Sequence, residues 1–278
     1  MRLGLIGGTG LVSLASDGIE FSRIDDIVAE TEFGPVPMTC ASLQNGSELI
    51  FIQRHHGEGT NPPHMINHHA NISALAAAGC DAILAVCSVG TIPANFPPGS
   101  VGYATQYVDF TGVTATFYDM DAQFTSMTSP FDLEMNQKIS QVLSKLQQGL
   151  ILERTYWLTQ GPQFETKAEI DAIEKLGGEV VGMTMPRECK LAAEIEMPYS
   201  AILIASNWAA GRHPDDSSAP LDHEEVSLQA NERLQPNQSA DSMHLAGDTD
   251  FLGSLLRDQN ILQLFRKCLV RKTIRTRN

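Results

Sequence analysis

The stretch DAILAVCSVGTI, residues 81–92, is apolar almost without interruption and ends in small residues. A strand with one wet face would alternate apolar and polar, so this run predicts a central strand covered on both faces. Before it, NPPHMINHHANISALAAAGC (61–80) begins with prolines, carries alanine and leucine at helical spacing, and stops at Gly79. After it, Pro93, Pro97, Pro98 and Pro130 mark loop-rich segments. Further out, RLGLI (2–6) reads as a short buried strand with the turn GGTG behind it, and SELIFIQRHHG (47–57) as a strand running into a polar loop. FDLEMNQKISQVLSKLQ (131–147) has the spacing of an amphipathic helix. RTYWLTQ (154–160), EVVGMT (179–184) and SAILIAS (200–206) read as strands; TKAEIDAIEKLGG (166–178) and PRECKLAAEIEM (186–197) read as helices. Strands that alternate with helices predict an α/β protein. The expected form is a single-domain three-layer sandwich, with a central mixed, mostly parallel β-sheet flanked by helices.

Composition narrows the class. The chain has 278 residues, 42% hydrophobic, with a net charge of −14. That acidity argues against a nucleic-acid partner, whose phosphates need lysine and arginine. A small anion is still compatible, since a local pocket can oppose the global field. The five cysteines form no CxxC pair, which favours free thiols in a reducing compartment. No apolar run is long enough to span a bilayer, and MRLGLIGGTG does not read as a signal peptide, so a soluble cytoplasmic protein is expected. RHPDDSSAP (212–220) is polar and loop-like, and basic residues crowd the end from Arg266 to Arg277. We expect a domain over 1–235 and a C-terminal extension over 236–278.

Ligands of open α/β sheets sit at the carboxyl ends of strands. Those ends carry Thr9 in GGTG, Arg54-His55, Ser88, Met183-Thr184 and Asn207. Hydroxyls, a guanidinium fork and glycine turns with exposed N–H groups suit a tetrahedral oxyanion such as phosphate. Singly, each has an ordinary structural reading. GGTG is not the full dinucleotide fingerprint, because Val12 stands where a glycine is needed. His55, His56, His64, His68 and His69 lack carboxylates at ligand spacing, so no metal is expected. TQGPQFETKAE (159–169) sets Phe164 beside Glu165 behind a Gly-Pro stop, a ring and a carboxylate suited to a flat hydrogen-bonding ligand.

Taken in order and spacing, GGTG, RH, PPHxINxxAN (62–71), GPxFET (161–166), GMT (182–184) with Glu188 beyond it, and ASN (205–207) resemble the trimeric purine nucleoside phosphorylases. The likeness runs over about residues 1 to 235 and is greatest to the methylthioadenosine and methylthioinosine phosphorylase branch. It implies cleavage of the purine–ribose bond by phosphate, a co-substrate, with no cofactor. It also implies a homotrimer or dimer of trimers, with small-molecule partners only and no membrane. It places Thr9, Arg54, His55, Ser88 and Thr184 at phosphate, Met183 at ribose, and Phe164 against the purine. Glu165 and Asn207 would read the base edge and carry catalysis, with Trp208 and Ala209 beside the substrate.

A 6-oxopurine offers a proton on N1 and an acceptor at O6. Glu165 accepts the first; Asn207 donates to the second and accepts from N7. Adenine would set a lone pair against the carboxylate. The adenine-preferring branch ends this strand in Asp-x-Asp, whereas Asn207-Trp208-Ala209 lacks both acids. Inosine-type substrates are therefore expected, methylthioinosine first, with inosine, guanosine or methylthioadenosine as alternatives. The 5′ end falls near Pro220, Leu221, Asp222 and His223, which include apolar and polar residues alike. Four positions depart from the family pattern: Gly59 for histidine, His68 for tyrosine, Gln163 for arginine, and Phe124 for the histidine that reaches a neighbour's ribose site. A nucleoside hydrolase or a non-catalytic purine binder is the competing class.

Overall fold

The structure, a computed structural model, describes residues 2–9, 11, 21–44, 46–56 and 61–221. The first half holds β1 (Arg2–Gly7), β2 (Phe21–Thr31), β3 (Gly34–Leu43), β4 (Glu48–Gln53), α1 (His68–Ala77) and β5 (Ala82–Thr91). The second holds β6 (Val101–Asp109), α2 (Leu133–Leu146), β7 (Glu153–Leu158), α3 (Lys167–Lys175), β8 (Val180–Gly182), α4 (Met185–Glu194) and β9 (Tyr199–Trp208). One sheet takes these strands in the order β2-β3-β4-β1-β5-β8-β7-β6-β9, and β9 pairs with β5 as well. The second pairing closes β5, β8, β7, β6 and β9 into a ring. Parallel pairs are β1–β4, β1–β5, β5–β9, β6–β7 and β7–β8; β2–β3, β3–β4, β5–β8 and β6–β9 are antiparallel. The sheet is thus mixed, with parallel pairing in the majority.

Residues 81–92 do form the central strand. Along β5 only Ser88 is more than slightly exposed. Strand alternation sorts its neighbours into two layers. Leu3, Leu5, Leu84 and Val86 pack against Met135, Ile139, Val142 and Leu143 of α2. Ile6, Ile83 and Ala85 face the other way, onto Ile72 and Leu75 of α1 and Met185 and Leu191 of α4. Each of the valine, leucine, isoleucine and methionine side chains among these, when fully buried, contributes about 1.5–3 kcal/mol. Helix starts follow their caps: Asn67 accepts from Ala70 N, Asp132 from Met135 N, and Thr166 forms a capping box with Glu169.

Three strands are absent from the sequence reading. β2 is an edge strand that leaves Ile24, Ile27 and Val28 exposed, so it shows no apolar alternation. β3 contains Pro35 and Pro37, residues that argue against a strand. Its ladder to β4 runs only over Thr39–Ser42, so neither proline has to donate to β4. β6 lies where prolines suggested loops, and its buried half is the short run Val101–Ala104.

Candidate active site

β4, β1, β5 and β9 run parallel in succession. Their carboxyl ends therefore lie along one edge of the sheet and gather Arg54-His55, Gly8-Thr9, Ser88 and Asn207 there. β8 runs antiparallel to β5, with Thr91 opposite Val180 and Gly90 opposite Val181. Its exit, Gly182-Met183-Thr184, heads back along Val89-Ser88 and brings Thr184 to the same edge.

Arg54 is buried at the centre of this edge. Its Nε donates to Glu188 Oε1 at 2.6 Å and Nη2 to Glu188 Oε2 at 3.0 Å, while Nη1 donates to the Val86 carbonyl at 2.9 Å. Burial alone would disfavour both charges. The Arg54 charge outweighs it at Glu188 and holds that carboxyl well below the usual range; Glu188 in turn raises Arg54. A Cβ on Gly8 would come within 2.5 Å of Arg54 Nη1, so only glycine lets the guanidinium lie against this turn. His68 is buried beside the pair, with Nδ1 3.7 Å from Glu188 Oε1 and neither ring nitrogen hydrogen-bonded.

His55 is oriented from two sides. Its backbone N–H donates to Gln53 Oε1 at 2.5 Å, and its Nδ1 lies 2.7 Å from the Asn61 carbonyl. A carbonyl only accepts, so Nδ1 carries the proton and Nε2 keeps a lone pair. Burial lowers the imidazole pKa to about 4, so the ring is neutral at physiological pH. Thr184 is the N-cap residue of α4, yet its side chain caps no helix N–H. Its backbone N–H donates to Tyr156 Oη at 3.3 Å. Thr9 and Ser88 are partly exposed.

The second half of the site is built around β8. Thr159 N donates to the Gly182 carbonyl at 2.9 Å, and Thr159 Oγ1 donates to Glu165 Oε1 at 2.6 Å. Gly161 has φ +62°, and a Cβ there would strike Met183 Sδ. The loop carrying Phe164 and Glu165, both half-buried, is thereby laid against Met183. On the other side of β5 from β8, the β5–β9 register skips Ser206, so Gly90 pairs with Asn207. Such a bulge re-aims the side chain that follows it. Ser206 Oγ donates to Asn207 Oδ1 at 2.9 Å, and Asn207 Nδ2 donates to the Trp208 carbonyl at 2.8 Å. One amide proton and one lone pair remain on Asn207. Trp208 is half-buried, while Ala209 lies beneath the site in a core cluster with Ile92, Trp157, Ile170 and Val181.

Among the described residues no cluster of histidine, cysteine and carboxylates fits a metal ion, and no helix is long and apolar enough to cross a membrane. A groove of about 530 Å³ between β6 and α2, lined by residues such as Tyr103, Asn136 and Glu153, contains none of these side chains. Gly59, Asp222, His223 and the 236–278 extension lie outside the described residues. Phe124 is 96% exposed on a single chain. Gln53, Asn61, Thr159 and Tyr199 were not singled out from the sequence. They brace His55, Glu165 and Glu188 from two to eleven positions away, through loop and side-chain geometry that no residue pattern signals.

The model of the phosphorylase superfamily matches residues 2–236. A protein of Thermococcus kodakarensis named a probable 6-oxopurine nucleoside phosphorylase is 37% identical over 235 residues, covering 81% of this chain and 84% of its own. A probable S-methyl-5′-thioinosine phosphorylase of Methanothermobacter thermautotrophicus is 36% identical over 213 residues, covering 76% and 73%. Among solved structures, methylthioadenosine phosphorylase from Schistosoma mansoni in complex with adenine superimposes with a TM-score of 0.75 at 20% identity, over 97% of this chain and 96% of that one. At that identity the likeness is one of fold.

Proposed function

This chain belongs to the phosphorylase superfamily, and from that premise we propose that it is a purine nucleoside phosphorylase, a pentosyltransferase that splits 6-oxopurine nucleosides with phosphate. Methylthioinosine is the preferred substrate, giving hypoxanthine and 5-methylthioribose 1-phosphate, a purine-salvage reaction. The observation that carries this reading is the presence at this edge of both Glu165, held by Thr159 beyond β7, and Asn207, aimed by the Ser206 bulge of β9.

Phosphate sits at Thr9, Arg54, His55, Ser88 and Thr184. The Nε2 lone pair of neutral His55 accepts from the protonated oxygen of hydrogenphosphate. Met183 lies under the ribose and Phe164 against the purine, with Trp208 and Ala209 bordering the base. As the glycosidic bond breaks, positive charge grows on the sugar and negative charge on the base. Phosphate held in line meets the first, and Asn207 meets the second at O6 and N7. The chain needs no cofactor for these steps, since phosphate is the nucleophile.

We assign the domain to 1–235 and leave 236–278 as an added segment. A homotrimer is proposed from the resemblance to the trimeric phosphorylases, with Met120 and Phe124, 95% and 96% exposed on one copy, as side chains that a subunit contact would cover. A second copy over them would put Phe124 at its neighbour's 5′ pocket, where a ring suits a methylthio group. The free thiols Cys40, Cys80, Cys87 and Cys189 suit a reducing cytoplasm. Phosphorus NMR of a reaction with inosine and inorganic phosphate tests the chemistry: a pentose 1-phosphate signal should rise as hypoxanthine is freed. Free ribose with no ester would make the protein a hydrolase.

A further inference from the structure

Glu188 lies in the first turn of α4, fully buried, and the reaction above assigns it no part. Its carboxylate takes both Arg54 Nε and Nη2, and Tyr199 Oη adds a third bond to Oε2 at 2.9 Å. A guanidinium has five N–H groups. Glu188 takes one from Nε and one from Nη2, the Val86 carbonyl takes one from Nη1, and the other on Nη2 faces Cys87 Sγ at 3.6 Å. One N–H remains, on Nη1, the atom that lies against the Gly8 turn.

We propose that Glu188 is the positioning residue of the phosphate site: by gripping the Nε–Nη2 edge of the Arg54 guanidinium with both carboxylate oxygens, it aims the single free N–H at the oxyanion held over Gly8-Thr9. The inference rests on the reading of Arg54 as a phosphate ligand. An arginine held by a single hydrogen bond keeps rotamer freedom that it must lose on each binding event; a bidentate carboxylate removes that freedom in advance. Tyr199 fixes the carboxylate in turn, and His68 closes its remaining side. The grip also sets Arg54's charge against a buried anion, so its contribution to phosphate is directional more than coulombic.

Glu188→Gln tests this. It keeps the size and one oxygen but turns amide N–H groups toward guanidinium N–H groups. Initial rates are measured with phosphate and nucleoside varied in turn. The phosphate KM should rise about tenfold or more, with the nucleoside KM within about twofold of wild type. If that variant does not fold, Tyr199→Phe removes one hydroxyl instead and should raise the phosphate KM about threefold, again with little change for nucleoside. An unchanged phosphate KM in the folded variant, or an equal rise in both constants, overturns the proposal. Arg54→Lys separates the two readings. If it leaves the phosphate KM unchanged, Arg54 is not a ligand and the proposal falls with it. If it raises that KM while the folded Glu188 or Tyr199 variant does not, only the positioning role fails.

Discussion

At the scale of single residues, the proposed function gives the choice of base to Glu165 and Asn207. Asn207→Asp replaces a donor to O6 by an acceptor, so kcat/KM for inosine-type substrates should fall against adenosine-type ones, moving their ratio about tenfold or more. Paired assays on the two bases check this; a constant ratio would put base choice elsewhere. His55 gives a pH prediction. Its pKa is lowered from 6.5 to about 4 in the fold, so between those values the unfolded chain binds the extra proton. Stability contributed by its neutral form is present above pH 6.5 and lost as pH falls toward 4, by up to about 1.4 kcal/mol per pH unit. Thermal melts over that window should fall with acid, and less steeply in His55→Gln. A parallel fall in the variant would mean that other groups drive it. The sequence showed these residue types because strand ends and a Gly-Pro stop are local features. It could not show that Glu188 takes two of Arg54's five N–H groups, since the two residues are 134 positions apart. Nor could it show the bulge at Ser206, which depends on how β9 registers against β5.

At the scale of elements, the site depends on turns that let loops approach closely. Gly161, at φ +62° with Met183 against it, is one of these. Gly161→Ala should cost about 1–2 kcal/mol for the left-handed backbone alone, and should raise the nucleoside KM by displacing Met183. Chemical denaturation and kinetics together check it; stability and KM both at wild-type values would refute the packing described. The capping box of α3 makes a plainer case: Thr166→Ala should lower stability by about 1 kcal/mol, read from the denaturation midpoint. Elements with two buried faces or clear caps, such as β5 and α2, were legible because burial imposes a pattern on their residues. β2 was not, because an edge strand with exposed isoleucines carries no such pattern. β3 was masked by two prolines that lie beyond its ladder to β4, and β6, which contains none, by the prolines that surround it.

For the whole molecule, alternation of strands and helices announced an α/β sandwich, and that is what the chain forms. Closure of β5, β8, β7, β6 and β9 into a ring was not legible, because it rests on β9 pairing with two neighbours at once. The proposed trimer predicts a solution mass three times the 30.3 kDa chain by light scattering. Phe124→His, placed at the subunit contact, should shift preference from methylthioinosine toward inosine; an unshifted preference would remove Phe124 from the 5′ pocket.

The measurement that tests the central claim most directly is purine release from methylthioinosine, methylthioadenosine and inosine, each with and without phosphate. Glu165 and Asn207 as base readers, above a phosphate site around Arg54, predict hypoxanthine from methylthioinosine in the presence of phosphate only, and little adenine from methylthioadenosine. Release that ignores phosphate, or adenine freed as readily as hypoxanthine, would contradict it.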